Sequence, residues 1–402
     1  MGGGSNLDEL AVEQAGSARS RFPLSRRAKA GPAADSRARP LRVTTFGCEP
    51  AADLAPQALG LTYWFDTAAE GKPYPVTIRF AGRRIGVKGK PGPRDTFSVT
   101  ESIGQVVPGS GPIAITTRML DVAPGEWHVT ATPVIDSRPR SATPRSVSAR
   151  RPSLPKASSS GTTAFAPVVR VRAPGAHLGT WPALVGLGVA VALTTQAALA
   201  ARSHLHVTRV LLLSLVASVV GLVGARLYYW AGHRGEPGSV LPGGSCIQGF
   251  VVGAVGVLVA GARVAGVPAG ALLDLTAPGL LFGMTIGRFG CFFGGCCVGK
   301  PTASRWGLWS SDQRLGMRRF PTQLLESALT MIVGSAALLA VLTTTPKPAG
   351  AVFIGTIAAY TFGRQLLFPL RNRPHTARGR ALTMALAGLV LAVDLAFAAV
   401  AK

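Results

Sequence analysis

Between Ile286 and Gly307 the chain reads IGRFGCFFGGCCVGKPTASRWG, which sets three cysteines and two arginines among glycines at the end of an apolar stretch. An arginine at bilayer depth costs about 3 kcal/mol or more unless it faces a polar cavity or a bound anion. Arg288 is therefore the first residue to which chemistry can be assigned. Glycine lets the backbone leave helical geometry and offer N–H donors at close range, which a membrane segment tolerates where it lines a cavity. On that reasoning Gly290, Gly294, Gly295 and Gly299 are read as a backbone cradle beside Arg288. The spacing of Cys291, Cys296 and Cys297 is not the two-residue spacing of zinc knuckles, and no histidine stands close by. They are read as small, polarizable packing residues in a tight turn, with a disulfide, a metal site or a transfer thiol as the alternatives. No metal and no cofactor is expected.

Two further arginines lie inside apolar stretches. Arg226 falls near the end of GARLYYWAGH, whose Tyr228, Tyr229 and Trp230 suit a membrane interface, so it either snorkels or joins a site. Arg364 follows Tyr360 by four residues, which puts the two on one helical face. Three arginines on three segments are hard to explain as three independent snorkels. Guanidinium forks match phosphate oxygens bidentately and stay charged at any working pH. With backbone donors beside them, they form a pocket for a phospholipid headgroup. An enzyme would use such a pocket to stabilise a departing phosphate, whereas a passive binder would only hold the lipid.

The elements that must position these residues follow from hydropathy. Seven apolar stretches, near 178–200, 208–231, 246–266, 269–287, 322–344, 349–368 and 381–400, each approach the length needed to span a bilayer. Residues 1–40 are too poor in apolar side chains to fold and are expected to be a disordered basic tail, without the apolar core of a signal peptide. From Leu41 to about residue 135, alternating runs such as VTIRFAG, DTFSVTE, IAITTRML and EWHVTATPV predict an all-β sandwich of about seven strands. His128 lies on one of them and is assigned nothing. Residues 136–177, rich in Pro, Ser and Arg, are expected to be a flexible linker. The fold class expected is an all-α polytopic membrane domain over 178–402 behind an N-terminal sandwich. Cys48 is alone in the soluble half, so no disulfide framework is implied there.

Lys and Arg outnumber Asp and Glu by 42 to 18, giving a formal charge of +24. No base-stacking or groove-reading motif accompanies that charge, so nucleic acid is excluded in favour of anionic lipid at a membrane surface. After residue 150 the acidic residues are Glu236, Asp274, Asp312, Glu326 and Asp394, which singles out Glu326 in FPTQLLES.

Over about 200 residues the order and spacing of these motifs resemble the prolipoprotein diacylglyceryl transferases. The match runs through Arg226 in GARLYYW, GGSCIQGFVVG, DLTAPGLLFGMTIGRFG with Arg288, Gly299, PTQLLE, and Tyr360 with Arg364 and Arg371. The resemblance implies a seven-span fold at the bacterial cytoplasmic (inner) membrane. It also implies transfer of diacylglycerol from phosphatidylglycerol to a cysteine thiol of a lipoprotein precursor. Arg288, Arg364, Gln248, Glu326 and Tyr360 would then be catalytic. Arg226, Gly249, Gly290, Cys291, Gly294, Gly295, Cys296, Gly299 and Arg371 would bind substrate. The chain departs from the family pattern where Gln248 replaces a histidine, Cys291 an asparagine, Cys296 a glutamate and Leu325 a tyrosine. The alternatives are a related transferase with another acceptor and a non-catalytic lipid-binding scaffold. The run from Leu120 to Val129 resembles the strand entry of immunoglobulin and fibronectin domains. The family orientation puts the N-terminus and the central loop outside. It is the orientation adopted, although the basic loops taken alone favour the reverse.

Overall fold

The computed structural model describes residues 40–44, 54–134, 154–169, 171–232, 247–372 and 376–400. The basic tail, Cys48, Cys246 and much of the expected linker lie outside them, as does the side chain of Gln248.

The N-terminal region is built from β1 (Leu41–Thr44), β2 (Gln57–Asp66), β3 (Tyr74–Arg84), β4 (Thr96–Val106), β5 (Pro112–Val122) and β6 (Glu126–Pro133). The run RRIGVKG is not a strand of its own, because β3 continues through Arg84 and then turns. Two strands lie where a flexible linker was expected. β7 (Ala157–Thr162) pairs with β6, and β8 (Ala164–Phe165) pairs with β2. The sheets run β1-β2-β5-β10-β9, with β8 beside β2, and β4-β3-β6-β7. Among the described residues neither closes into a barrel and no closed sandwich is seen. Both contribute to one apolar core through Leu59, Tyr63, Ile78, Phe80, Ile113 and Trp127.

β2 is buried at every residue but its last, which explains its nearly continuous apolar sequence. One face meets the core. The other is covered by Ala164, Ala166 and Val169. Tyr63 donates its hydroxyl to the Pro155 carbonyl at 2.7 Å, and burial pushes its pKa up to about 12, so it remains a neutral donor.

The remaining two strands come from the helical half. β9 (Leu308–Ser311) and β10 (Leu315–Arg319) form a hairpin whose second strand pairs antiparallel with β5, Leu315 opposite Ile115. Met317 enters the N-terminal core. Arg314 makes an ion pair with Glu101, and Trp309 stacks on Trp64 with ring centroids 5.5 Å apart. Periodicity could not reveal this, because a strand of five residues inside a basic loop carries no signal of its partner.

Among the described residues seven helices follow: α1 (Thr180–Arg202), α2 (Val207–Gly232), α3 (Ile247–Val264), α4 (Ala269–Gly294), α5 (Thr322–Thr343), α6 (Ala351–Leu367) and α7 (Ala377–Val400). Six are long and apolar enough to cross a membrane, and Gly249–Val264 is a shorter apolar helix. Their exposed faces carry residues such as Leu212, Leu222, Ile332 and Leu386, as lipid contact requires. This is a multi-pass membrane protein.

Between helices that hydrocarbon cannot drive together, close backbone approach supplies the contact. A Cβ at Gly188 would lie 2.5 Å from the Gly283 carbonyl oxygen, and one at Gly279 equally close to that of Ala192, so α1 and α4 touch through backbone. Asp274 is the one charged side chain in the described part of α4 before Arg288. It accepts N–H bonds from Gly350 (2.7 Å) and Phe353 (3.0 Å), capping α6 from a neighbouring helix.

Gly283→Leu is expected to separate α1 from α4. Overpacking of this kind costs about 1–3 kcal/mol or more. The check is size-exclusion recovery of folded protein in detergent, which should fall sharply relative to Gly287→Ala, a position with open space around it.

Candidate functional site

The site starts from α5. Its buried residues are Thr322, Gln323, Glu326, Ser327, Thr330, Gly334 and Ala337. Their spacing of three and four makes one helical stripe. In a membrane helix this stripe is the polar one, since lipid takes the apolar faces. Ser327 donates to the Thr285 carbonyl on α4 at 3.0 Å, and the hydroxyls of Thr285 and Thr330 lie 2.9 Å apart, so the stripe fixes α5 against α4.

That seam places Glu326, 1% exposed, among three guanidiniums from three other elements. Arg288 of α4 approaches with Nη2 2.7 Å from Oε2. Arg371 reaches Oε1 through Nη1, and Arg364 of α6 stands 3.9 Å from the same oxygen. Arg371 follows a 3-10 turn, Phe368–Leu370, that carries it back beneath α6. The Phe368 ring lies 5.8 Å from the Arg364 guanidinium and 5.7 Å from that of Arg371, which fixes both in cation–π contact. Tyr360 is buried, and its hydroxyl accepts from Arg288 Nη2 at 3.3 Å.

Hydrogen-bonding capacity is left over. The Nε groups of Arg364 and Arg371 are buried and make no hydrogen bond among the described residues. The Glu326 Oε2 contact with Arg288 is short, yet its geometry is not that of a hydrogen bond. Three guanidiniums against one carboxylate leave excess positive charge with unspent donors. Such a group can hold an anion with several oxygens.

The glycine-rich stretch behaves differently from the cradle expected. α4 runs on through Gly290 and Gly294, which are packing positions: a Cβ at either would lie within 3.3 Å of Leu184 or Trp181 on α1. The helix ends at Gly295, whose φ of 72° is the left-handed conformation that suits glycine, and the chain turns there. Gly299 bridges to Arg371, with Lys300 N–H donating to Leu370 at 2.8 Å and Asn372 N–H to Val298 at 3.2 Å. It therefore positions Arg371 through backbone.

The turn is also tied to the hairpin. Arg319 of β10, 2% exposed, donates to the Gly299 carbonyl at 3.4 Å and pairs with Asp312 at 2.7 Å. Burial holds its pKa below the ordinary arginine value, with Asp312 opposing. Residues 171–177 run between hairpin and helix end, where Ala173 N–H donates to Gln313 and His177 N–H to Phe293.

The three thiols meet at this turn. Cys291, Cys296 and Cys297 have their sulfurs within 4.8 Å of one another. Gln323 Nε2 donates to the Cys296 carbonyl at 2.9 Å and Thr322 Oγ1 to that of Cys297 at 3.4 Å. Hydrogen bonds from the other two thiols, and then the positive charge of Arg288 and Arg371, hold the Cys297 thiol below the ordinary range.

Arg226 is exposed on α2 and is not one of the three arginines paired with Glu326. Gly249 sits where α3 crosses α2, its Cβ position overlapping the Gly224 carbonyl, so it serves helix contact. The sequence reading missed Gln323, Ser327, Thr330 and the Arg319–Asp312 pair. The polar stripe of α5 was a usable signal for the first three.

Fold and site together define a multi-pass membrane protein with a buried arginine–carboxylate cluster at one end of its helical bundle. The sequence profile of the prolipoprotein diacylglyceryl transferases matches residues 169–401, more than half of the chain. The chain belongs to that family. Relatives named phosphatidylglycerol–prolipoprotein diacylglyceryl transferase include one from Chloroflexus aggregans, 37% identical over 133 residues, covering 31% of this chain and 43% of the relative. One from Nostoc sp. is 30% identical over 208 residues, covering 47% and 73%. A second-copy enzyme of Streptomyces coelicolor is 34% identical over 160 residues, covering 36% and 50%. The chain thus spans from under half to about three quarters of the length of these relatives.

Glu326→Ala should leave buried guanidiniums without their counter-charge, a loss of about 3–5 kcal/mol. Thermal unfolding in detergent checks it: a large drop in midpoint is expected, with Arg263→Ala, at an exposed position, changing it little.

Proposed function

We propose that this protein moves a diacylglyceryl group from phosphatidylglycerol to a cysteine thiol of a lipoprotein precursor at the bacterial cytoplasmic membrane. The observation that carries the reading is the convergence of Arg288, Arg364 and Arg371 around Glu326 with guanidinium N–H groups unspent. Names of the relatives supply the substrates.

In the step proposed, the thiol sulfur forms a bond to the glyceryl carbon while the bond from that carbon to the phosphate oxygen breaks. Glycerol phosphate leaves, and the thiol proton departs with it or to water. Charge on the phosphate rises as the bond breaks, so preorganised guanidiniums stabilise the transition state more than the ground state. Arg288 and Arg371 hold the phosphate, Arg364 closes its open side, and Tyr360 orients Arg288. Glu326 holds the three arginines apart, with its own oxygens facing them, and is assigned positioning rather than proton removal. Gln248 cannot take up a proton, which is why the proton is sent to the leaving phosphate or to water.

We read residues 41–135 as an immunoglobulin- or fibronectin-like unit with strands added from 157–165, and 178–402 as the seven-span domain. The N-terminal unit and the site end of the bundle are placed outside the cytoplasm. The β5–β10 pairing supports placing the N-terminal unit on the same side as the site end of the bundle.

The test is transfer of labelled diacylglycerol from phosphatidylglycerol vesicles to a precursor peptide. Arg288→Ala should lower the rate about 10²–10³-fold, the size of a lost oxyanion partner. Tyr360→Phe, which removes one long hydrogen bond from the charged Arg288 guanidinium, should lower it about tenfold. Wild-type protein that binds phosphatidylglycerol without transferring it would overturn the reading.

A further inference from the structure

We propose that Cys291, Cys296 and Cys297 form a three-thiolate site for a thiophilic d10 metal ion, independent of the transferase reading. No two of the three sulfurs are more than 4.8 Å apart. A zinc–sulfur bond of about 2.3 Å sets sulfurs of a trigonal or tetrahedral site about 3.8–4.0 Å apart, so the thiols need to close by about 1 Å at most. Thiolates alone, without imidazole or carboxylate in the cluster, select soft ions of the Zn²⁺, Cd²⁺ or Cu⁺ type over hard ones.

The sequence spacing argued against a metal, because two adjacent cysteines and one five residues earlier do not fit a zinc knuckle. Folding supplies what spacing lacked. Cys291 lies on the last turn of α4, and Gly295 reverses the chain so that Cys296 N–H donates back to the Cys291 carbonyl at 3.0 Å. Cys297 then takes φ of 55°, a left-handed conformation that costs a non-glycine residue about 1 kcal/mol or more and persists only where its surroundings hold it. The Thr322 and Gln323 side chains fix both carbonyls of the pair, which is the kind of outer shell that orients metal ligands. Gln323 Oε1, buried and without a hydrogen bond among the described residues, faces the same neighbourhood as an unexplained polar atom.

Access fits as well. Cys291 is buried, while Cys296 and Cys297 are partly exposed, which leaves a way in for an ion and an open position for an exogenous fourth ligand. Because Gln323 and Glu326 are one turn apart on α5, an ion here braces the helix that carries the arginine cluster.

The experiment titrates the reduced full-length protein in detergent with Cd²⁺ alone and follows sulfur-to-metal charge-transfer absorbance, with bound metal counted by mass spectrometry. One Cd²⁺ per chain is expected, protecting three thiols from alkylation. Cys291→Ser and Cys297→Ser should each weaken binding at least tenfold, with size-exclusion profiles unchanged, whereas Cys48→Ser should bind as the native chain does. Absence of stoichiometric charge transfer in a folded, fully reduced sample would overturn the proposal. So would Cd²⁺ binding that survives replacement of all three cysteines by serine. Failure of diacylglyceryl transfer would leave this result untouched, since the readout is metal and not turnover.

Discussion

A carboxylate at 1% exposure inside a helical bundle costs several kcal/mol to desolvate, and three buried or half-buried guanidiniums cost more. Each is tolerable only in the presence of the others. Glu326 is the shared partner, and because its arginines come from α4, from α6 and from the turn after α6, satisfying one carboxylate fixes the relative position of all these elements. The cluster therefore builds both the bundle and the site. In the proposed reaction its spare guanidinium donors are what the anionic substrate would meet.

The rest of the molecule keeps that cluster in register. Thr285, Ser327 and Thr330 lock α5 to α4 just below Glu326, and Asp274 caps α6 from α4. Beyond the membrane end, Gly299 pairs with Arg371 and Arg319 binds the Gly299 carbonyl. Arg319 belongs to a strand that extends the N-terminal sheet. The chain of contacts thus runs from a β-core containing Tyr63 and Trp127, through the hairpin, to an arginine of the site.

Glycine serves three purposes within a few residues, and only geometry separates them. Gly290 and Gly294 allow a helix to pass close to α1, Gly295 reverses the chain, and Gly299 admits a backbone bridge too close for any side chain. A reading that gave all four to ligand binding treated one composition as one function. The reversal at Gly295 gathers the three cysteines, so the same turn that ends the helix creates a second concentration of chemistry.

Sequence by itself located the apolar segments, with the fourth read as ending at 287 where the helix runs on to Gly294, and the β-rich N-terminal region, and it singled out Arg288, Glu326, Tyr360, Arg364 and Arg371, which the fold brings together. Hydropathy and the rarity of charge in a membrane segment are local properties, legible residue by residue. What it could not determine depends on contacts between distant positions. Burial of Arg371 against Glu326, exposure of Arg226, pairing of Leu315 with Ile115 and convergence of Cys291 with Cys297 are all of this kind. Packing decides these, because a backbone turn, a strand register or a helix crossing angle carries no periodic signal. Only the folded chain brings such charges and sulfurs within a few ångströms.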